Sequence, residues 1–474
     1  MQKKKSGFFR KIGIISFLIL PFILAIVYEI KTNELQATFF FRYSQDITWE
    51  VKPGKRNQIF FPKSGPYDLT LGYARLPYFQ KLLENYGYSV SFQAQQSSKA
   101  QFLIKNGITI PYKKKSNPGL RIYDKNGAQI YYVNLNPGEF SSFEVIPPLL
   151  VDSLLFRENR ELFDLKHPFL NPAIEWDRLG LALISHLQGE VFNTAGGVGG
   201  STLATQIMKF RHSSKGLTSS PMEKIKQIIG ASIWAYQKSP NTLSIRREIV
   251  KEYLNSMPLG AAPGHGEING IGNGMWAWYG KKIGQVISDL NLPETNPKNI
   301  YQKAITLKEI FSLIIATRYP NFYLKNPLAL NEKVNAYLPL LEKAGIITPN
   351  LSRTALSITL KFKPHAPSPP PVSFRERKGV DNLRIKLLEI LNLKTLYELD
   401  RLDLITYTTL DFETQQKVNS ILNSLYDPEF LKEQGFLSPY LLEQGEPNKV
   451  IYSITLFESL PEGNFLRVQT DTLN

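Results

Sequence analysis

Gly196-Gly197-Val198-Gly199-Gly200-Ser201-Thr202-Leu203-Ala204-Thr205-Gln206-Ile207-Met208-Lys209-Phe210 is the stretch on which the reading turns. Its glycines free the backbone for positive φ or for close approach to another group. Behind them, Ser201 or Thr202 can cap a helix. Leu203, Ile207 and Phe210 recur at helical spacing as an apolar stripe, and Thr202, Gln206 and Lys209 fall on another face. A helix N-terminus offers unpaired N–H groups and the positive end of a dipole, which suits phosphate oxygens. No Gly-Lys-Ser/Thr follows the glycines, so this is not a nucleotide P-loop. By spacing alone, the pattern also fits a flexible surface loop before an ordinary helix.

Two neighbouring stretches place polar residues on helical faces. In Ile146-Pro147-Pro148-Leu149-Leu150-Val151-Asp152-Ser153-Leu154-Leu155-Phe156-Arg157-Glu158-Asn159-Arg160 the prolines suit a first helical turn. Val151, Leu155, Glu158 and Leu162 then follow one stripe, so a carboxylate stands where a hydrophobe is expected. Such a group pairs with a cation, lines a cleft, or reaches solvent past the stripe's edge. Downstream, in Arg246-Arg247-Glu248-Ile249-Val250-Lys251-Glu252-Tyr253-Leu254-Asn255, the apolar residues make a core stripe while Glu248, Glu252 and Asn255 share a face. A solvated helix laced with i,i+4 pairs has the same pattern. The glycines of Gly264-His265-Gly266-Glu267-Ile268-Asn269-Gly270-Ile271-Gly272-Asn273-Gly274 predict a tight loop near a ligand. Met275-Trp276-Ala277-Trp278-Tyr279 adds aromatics for a core or a membrane interface.

Composition narrows the classes. The 474 residues carry 56 Lys and Arg against 41 Asp and Glu, a formal charge of +15, and no cysteine. Disulfides, thiolate metal sites and thiol catalysis are excluded. The excess of positive charge calls for an acidic partner. Lys3, Lys4, Lys5, Arg10 and Lys11 precede an uncharged run from Ile12 to Tyr28 with no clear small-x-small cleavage site. This predicts a cytoplasmic tail at 1–11 and a single-pass transmembrane anchor at 12–30, with the remainder exported beyond the cytoplasmic membrane. A cleaved signal peptide is the competing reading. Export removes nucleic acid from the partners and leaves anionic membrane and a phosphorylated lipid. Further on, residues 49–138 read as a small mixed α/β module with a short helix at Leu82–Tyr86, a strand at Tyr88–Phe92, and strands at 120–123 and 129–133. Residues 145–345 are helix-rich, 364–378 a Pro-rich linker, and 380–474 a mixed segment with a strand near Ile405–Thr409.

Together these segments resemble the family 51 glycosyltransferases, peptidoglycan polymerases found alone or as the first catalytic domain of class A penicillin-binding proteins. The family's motif order is kept: Glu158, then Gly199 to Lys209, then Glu223 to Gln227, then Ile249 to Asn255, with Tyr319-Pro320-Asn321 similar to its closing segment. Asn159 stands at the family's Asp, Thr205 at its first Gln, and Leu217 at an Arg. Of its Arg-Lys-x-x-Glu motif only Lys224 is kept, and Lys251 occupies the place of the second Glu, with Glu252 one position on. Thr408-Thr409-Leu410-Asp411 is similar to the opening of a transpeptidase region, but Ser-x-x-Lys and Lys-Thr-Gly are missing.

The resemblance implies a mainly α, lysozyme-like glycosyltransferase domain, accompanied by the small α/β module and the transmembrane helix. Its activity would be polymerisation of lipid II, a disaccharide-pentapeptide on a polyprenyl diphosphate, into a nascent glycan strand. The implied catalytic residues are Glu158, as base, and Glu252. The implied substrate-binding residues are Gly200, Ser201, Thr202, Gln206, Lys209, Lys224, Lys251 and Asn255, with no protein metal ligands. A divalent cation (Mg or Mn) bridging the diphosphate and other cell-wall synthesis proteins are the cofactor and partners it implies. Two rivals remain: a paralogue that binds lipid II without turnover, and a glycan hydrolase using Glu158 as acid. The second gives Lys209 and the helix end no task.

Overall fold

The computed structural model describes residues 21, 24–110, 119–133, 138–176, 201–262, 266–363, 374–437 and 449–472. Helices predominate among them, and the strands form small sheets. The chain divides into two units, Met1–Tyr67 with Val90–Lys113 and Asn136–Ala366, and Asp68–Ser89 with Lys114–Leu135 and Pro367–Asn474. Residues 49–138 are therefore shared between the units.

The first unit is built from amphipathic helices around one whose C-terminal half is buried on every side. Six helices position the site: α1 (Pro148–Glu158), α2 (Leu203–His212), α3 (Pro221–Tyr236), α4 (Leu243–Ser256), α5 (Ile271–Tyr279) and α6 (Pro297–Ala316). In α6 the residues from Ile310 to Ala316 are all buried, as a central helix requires. Asn296 caps its start by accepting from the Asn299 N–H, and Pro297 fills the first turn. Helix α6 packs against α1, α5 and the helices Pro327–Lys343 and Pro349–Ser357. Lys308 is wholly buried in it and donates to the carbonyls of Ala355 (2.9 Å) and Ile358, satisfying the C-terminus of Pro349–Ser357. Burial pushes the Lys308 ammonium down to about 8.

Gly270, Gly272 and Gly274 serve packing. Gly272 lies against the backbone of Gly138, and Gly270, at φ 79°, lies against the backbone of Asn255. Gly274 leaves room for Leu259 and Leu313. Gly264 and His265 lie outside the described residues. The described part of the expected tight loop is instead a strand, Gly266–Asn269, followed by the start of α5, and Gly270, Gly272 and Gly274 meet protein backbone and side chains where a ligand was expected.

Strands Trp49–Pro53 and Phe92–Gln96 pair antiparallel in the first unit. The strand expected at Tyr88–Phe92 thus begins only at Phe92, because Trp49–Pro53 offers its pairing edge to 92–96. In the second unit, Arg121–Tyr123 pairs with Gln129–Tyr132 on one side and with Ile405–Tyr407, in parallel, on the other. The helix expected at Leu82–Tyr86 is longer, Leu76–Asn85, and its Phe79 joins Leu120, Ile122 and Leu399 in that unit's core. A hairpin, Ser453–Leu460 with Gly463–Asp471, packs on the helices Phe374–Ile390 and Phe412–Ser424.

No helix among the described residues is long and apolar enough to cross a membrane. Most of the 12–30 anchor lies outside the described residues, as does 364–373 of the linker.

Placing a methyl group on Gly272 would bring it to 1.9 Å from the Gly138 carbonyl oxygen. Gly272→Ala is therefore expected to cost about 3 kcal/mol or more in urea unfolding, as forced overpacking does. Gly284→Ala, at a helical glycine with open space around it, should stay within about 1 kcal/mol of the parent. A loss as small for Gly272→Ala would refute the close approach.

Candidate functional site

Helix α1 ends at Glu158, and Asn159 leaves the helical conformation (φ −162°, ψ 72°). The stripe holds, with Val151, Leu155 and Leu162 buried, while the Glu158 side chain keeps 18% of its surface. Its Oε1 accepts from Arg157 Nε at 2.8 Å and its Oε2 from Gln206 Nε2 at 3.0 Å. Gln206, on α2, in turn accepts from the Tyr253 hydroxyl of α4 at 3.4 Å. Burial, and then the Glu158 charge, push the Tyr253 phenol well above its usual range, so it remains a protonated donor. Three helices thus fix the carboxylate through one amide.

The loop after Glu158 is pinned from inside. Arg246 of α4 is fully buried and donates to the carbonyls of Leu162 (3.3 Å), Asp164 (2.9 Å) and His167, and to Thr242 Oγ1 (2.9 Å). Asn159 donates to Glu175, and its own Oδ1 has no hydrogen-bond partner among the described residues. An Asp there would face Glu175 as a second carboxylate, whereas the amide makes a neutral donor.

Thr202 caps α2 by accepting from the Thr205 N–H at 3.3 Å. Lys224 of α3 donates to the hydroxyls of Ser201 (2.7 Å) and Thr205 (3.4 Å). Gly200 and the glycines before it lie outside the described residues. Burial, and then the positive charge of Lys209, lower the Lys224 ammonium to about 8. Lys209 is lowered as well: burial and Arg318 act against its charge, and Glu158 supports it. Among the described residues neither ammonium has a carboxylate within ion-pair distance. Two cations, one of them bonded to hydroxyls, form a cradle that an anion would neutralise.

Glu252 and Lys251 are engaged elsewhere on α4. Arg211 Nη2 meets Glu252 Oε2 at 2.6 Å, and Lys251 Nζ lies 2.8 Å from Glu248 and 3.7 Å from Glu252. One helical step, about 100°, separates Glu252 from Tyr253, the residue that reaches Gln206. Burial works against the Lys251 charge, but the hydrogen bond and charge of Glu248 outweigh it, and its pKa is raised. Asn255 is 5% exposed and spends its amide on one backbone unit. Its Oδ1 accepts from Phe140 N–H at 2.9 Å and its Nδ2 donates to Phe140 O at 3.0 Å. So the structure gathers Glu158, Ser201, Thr202, Gln206, Lys209 and Lys224, and gives Lys251, Glu252 and Asn255 other partners.

Sequence reasoning missed Arg157, Arg246 and Tyr253. Arg246 shares a stripe with Ile249, Val250 and Tyr253, and that spacing could have marked it as buried. No group of three or more His, Asp or Glu side chains gathers among the described residues as a metal site needs.

Residues 127–341 match the family described as Transglycosylase. Over 344 residues the chain is 23% identical to penicillin-binding protein 1A/1B of Bacillus subtilis (strain 168), covering 71% of this chain and 32% of that protein. The chain therefore spans about a third of the length of this curated relative.

Because Lys224 titrates near 8 in the fold against 10.5 unfolded, the native state binds fewer protons between those values. This site alone makes stability rise with pH across that window, the cost of burying its charge being fully present below about 8. NMR titration of the Lys224 side chain should show the depressed midpoint, and Lys209→Met should move it up by removing the neighbouring charge. A midpoint near 10.5 in both proteins would refute the cradle.

Proposed function

We propose, from the premise that residues 127–341 are a domain of the transglycosylase family, that this chain is a peptidoglycan glycosyltransferase polymerising lipid II. The observation that carries the reading is the pair of partly buried lysines, Lys209 and Lys224, without carboxylate ion-pair partners among the described residues, beside a carboxylate oriented by Gln206.

In this reading Glu158 takes the proton from the acceptor sugar's 4-hydroxyl as that oxygen attacks the donor's anomeric carbon. The new C1–O4 bond forms as the C1–O bond to the diphosphate breaks, and the leaving group departs with the electron pair. It needs positive charge more than a proton, and Lys209, Lys224 and the Ser201–Thr202 helix end supply charge and donors. A divalent cation, if bound, would add Lewis-acid charge at the same oxygens. Gln206 holds the Glu158 carboxylate toward α2, and Tyr253 holds Gln206. The Arg211–Glu252 pair supports a site with one working carboxylate, since a Glu252 held by Arg211 is costly to release.

Lys251 and that same pair also favour a second reading, binding of lipid II without turnover. The membrane anchor at 12–30 belongs to the proposal as well. It is supported by the charge cluster before it and by the exposed Leu24, Ile26, Val27 and Ile30 of its described end.

In a lipid II polymerisation assay, Glu158→Gln should lower the rate by ~10²–10⁴ while circular dichroism stays unchanged. Glu252→Gln should stay within about threefold of the parent, far from the loss expected of a catalytic base. Retained activity in Glu158→Gln would overturn the base assignment. An inert parent that still binds lipid II would establish the binding-only reading.

A further inference from the structure

A half-open cavity lies in the first unit, away from the cradle. It is a cavity of about 350 Å³ between the end of α2, the start of α3 and the segment around Gly107–Thr109. None of Glu158, Gln206, Lys209 or Lys224 lines it. Met222, Lys226 and Gly230 recur every fourth residue, so the lining stripe of α3 runs most of the way round the helix from Lys224. Ser64, Gly107 and Thr109 close the cavity and fall outside the 127–341 match. Gly230 makes that closure possible, because a methyl group there would stand 2.7 Å from the Thr109 carbonyl oxygen.

The lining has a definite chemistry. Ser64, Thr109, Ser213, Ser214, Ser219 and Ser220 line it, hydroxyl side chains of the kind that pair with sugar hydroxyls, although Ser219 donates to Glu223, Ser220 accepts from the Glu223 N–H and Ser213 accepts from Gln227. Met208 and Met222 add apolar thioether surface, suited to the C–H face of a pyranose or an acetyl methyl. Lys226 has no hydrogen-bond or ion-pair partner among the described residues, and its Nζ lies 3.2 Å from where a side chain on Gly107 would begin. Glu223, which accepts from the Ser219 N–H at 2.6 Å, adds one fixed negative charge to the wall. One lysine beside a fixed anion, with the His212 imidazole also in the wall, suits a singly charged ligand better than a phosphate dianion. The volume holds one or two sugar rings and lies within the range of small-molecule sites.

We infer that this cavity binds a carboxylated sugar, with Lys226 taking the carboxylate, the serine and threonine hydroxyls taking the ring substituents, and the methionines covering the apolar face. Such binding is independent of whether the chain polymerises glycan.

The test is an NMR titration of the full chain with N-acetylmuramic acid, N-acetylglucosamine and inorganic phosphate in separate arms. N-acetylmuramic acid should saturate, with shifts centred on the residues that line the cavity. Lys226→Met should weaken it about tenfold or more, the loss of one charge-assisted hydrogen bond. Met222→Trp, at an exposed rim position, should block binding with the fold intact by circular dichroism. Lys209→Ala should leave it unchanged. Equal binding of the neutral sugar or of phosphate, an unaltered affinity in Lys226→Met, or no saturation would overturn the proposal.

Discussion

Lys224 is held beside Lys209 in a partly buried position, and burial and like charge both act against its ammonium. A cation kept in that environment costs stability unless partners offset the lost hydration, and among the described residues the hydroxyls of Ser201 and Thr205 do so. Apolar residues would fill the place at a smaller cost, so the arrangement makes sense as a site for an anion. Its geometry follows from the Thr202 cap, which fixes where α2 begins and so aims Ser201 and the free N–H groups at the same space. Thr205 takes part as a hydroxyl partner of Lys224.

What holds Glu158 next to this cradle is internal and well buried. The apolar stripe of α1 seats against α6, and the Gln206–Tyr253 link ties α1, α2 and α4 together at the carboxylate. Arg246 and Asn255 act on the chain on either side of α1, through the carbonyls of Leu162, Asp164 and His167 and through both backbone groups of Phe140. These polar groups are satisfied inside the core, where an unpaired one would cost about 1–3 kcal/mol. Asn255 thus positions the backbone at Phe140.

Periodicity revealed much of this beforehand. The Leu203–Ile207–Phe210 stripe, the capping threonine and the place of Glu158 on the α1 stripe all hold in the fold. Local pattern failed where tertiary pairing decides. Tyr88–Phe92 alternates like a strand, yet the strand forms where Trp49–Pro53 supplies a partner edge. The glycines of 266–274 announced a close approach but not whether ligand or backbone makes it; Gly138 and Asn255 answer that. Ion pairing is equally invisible to spacing. The charged run of α4 could not show that Arg211, distant in sequence, meets Glu252.

The central claim, that Lys209 and Lys224 form a diphosphate cradle, is tested most directly by calorimetric binding of a short-chain prenyl diphosphate across a pH series. The account predicts binding that weakens as pH rises beyond about 8, where Lys224 loses its proton in the free protein, and a Lys224→Arg variant whose binding holds to higher pH. Binding indifferent to pH between 7 and 10 in the parent, or unaffected by replacing both lysines with methionine, would contradict it.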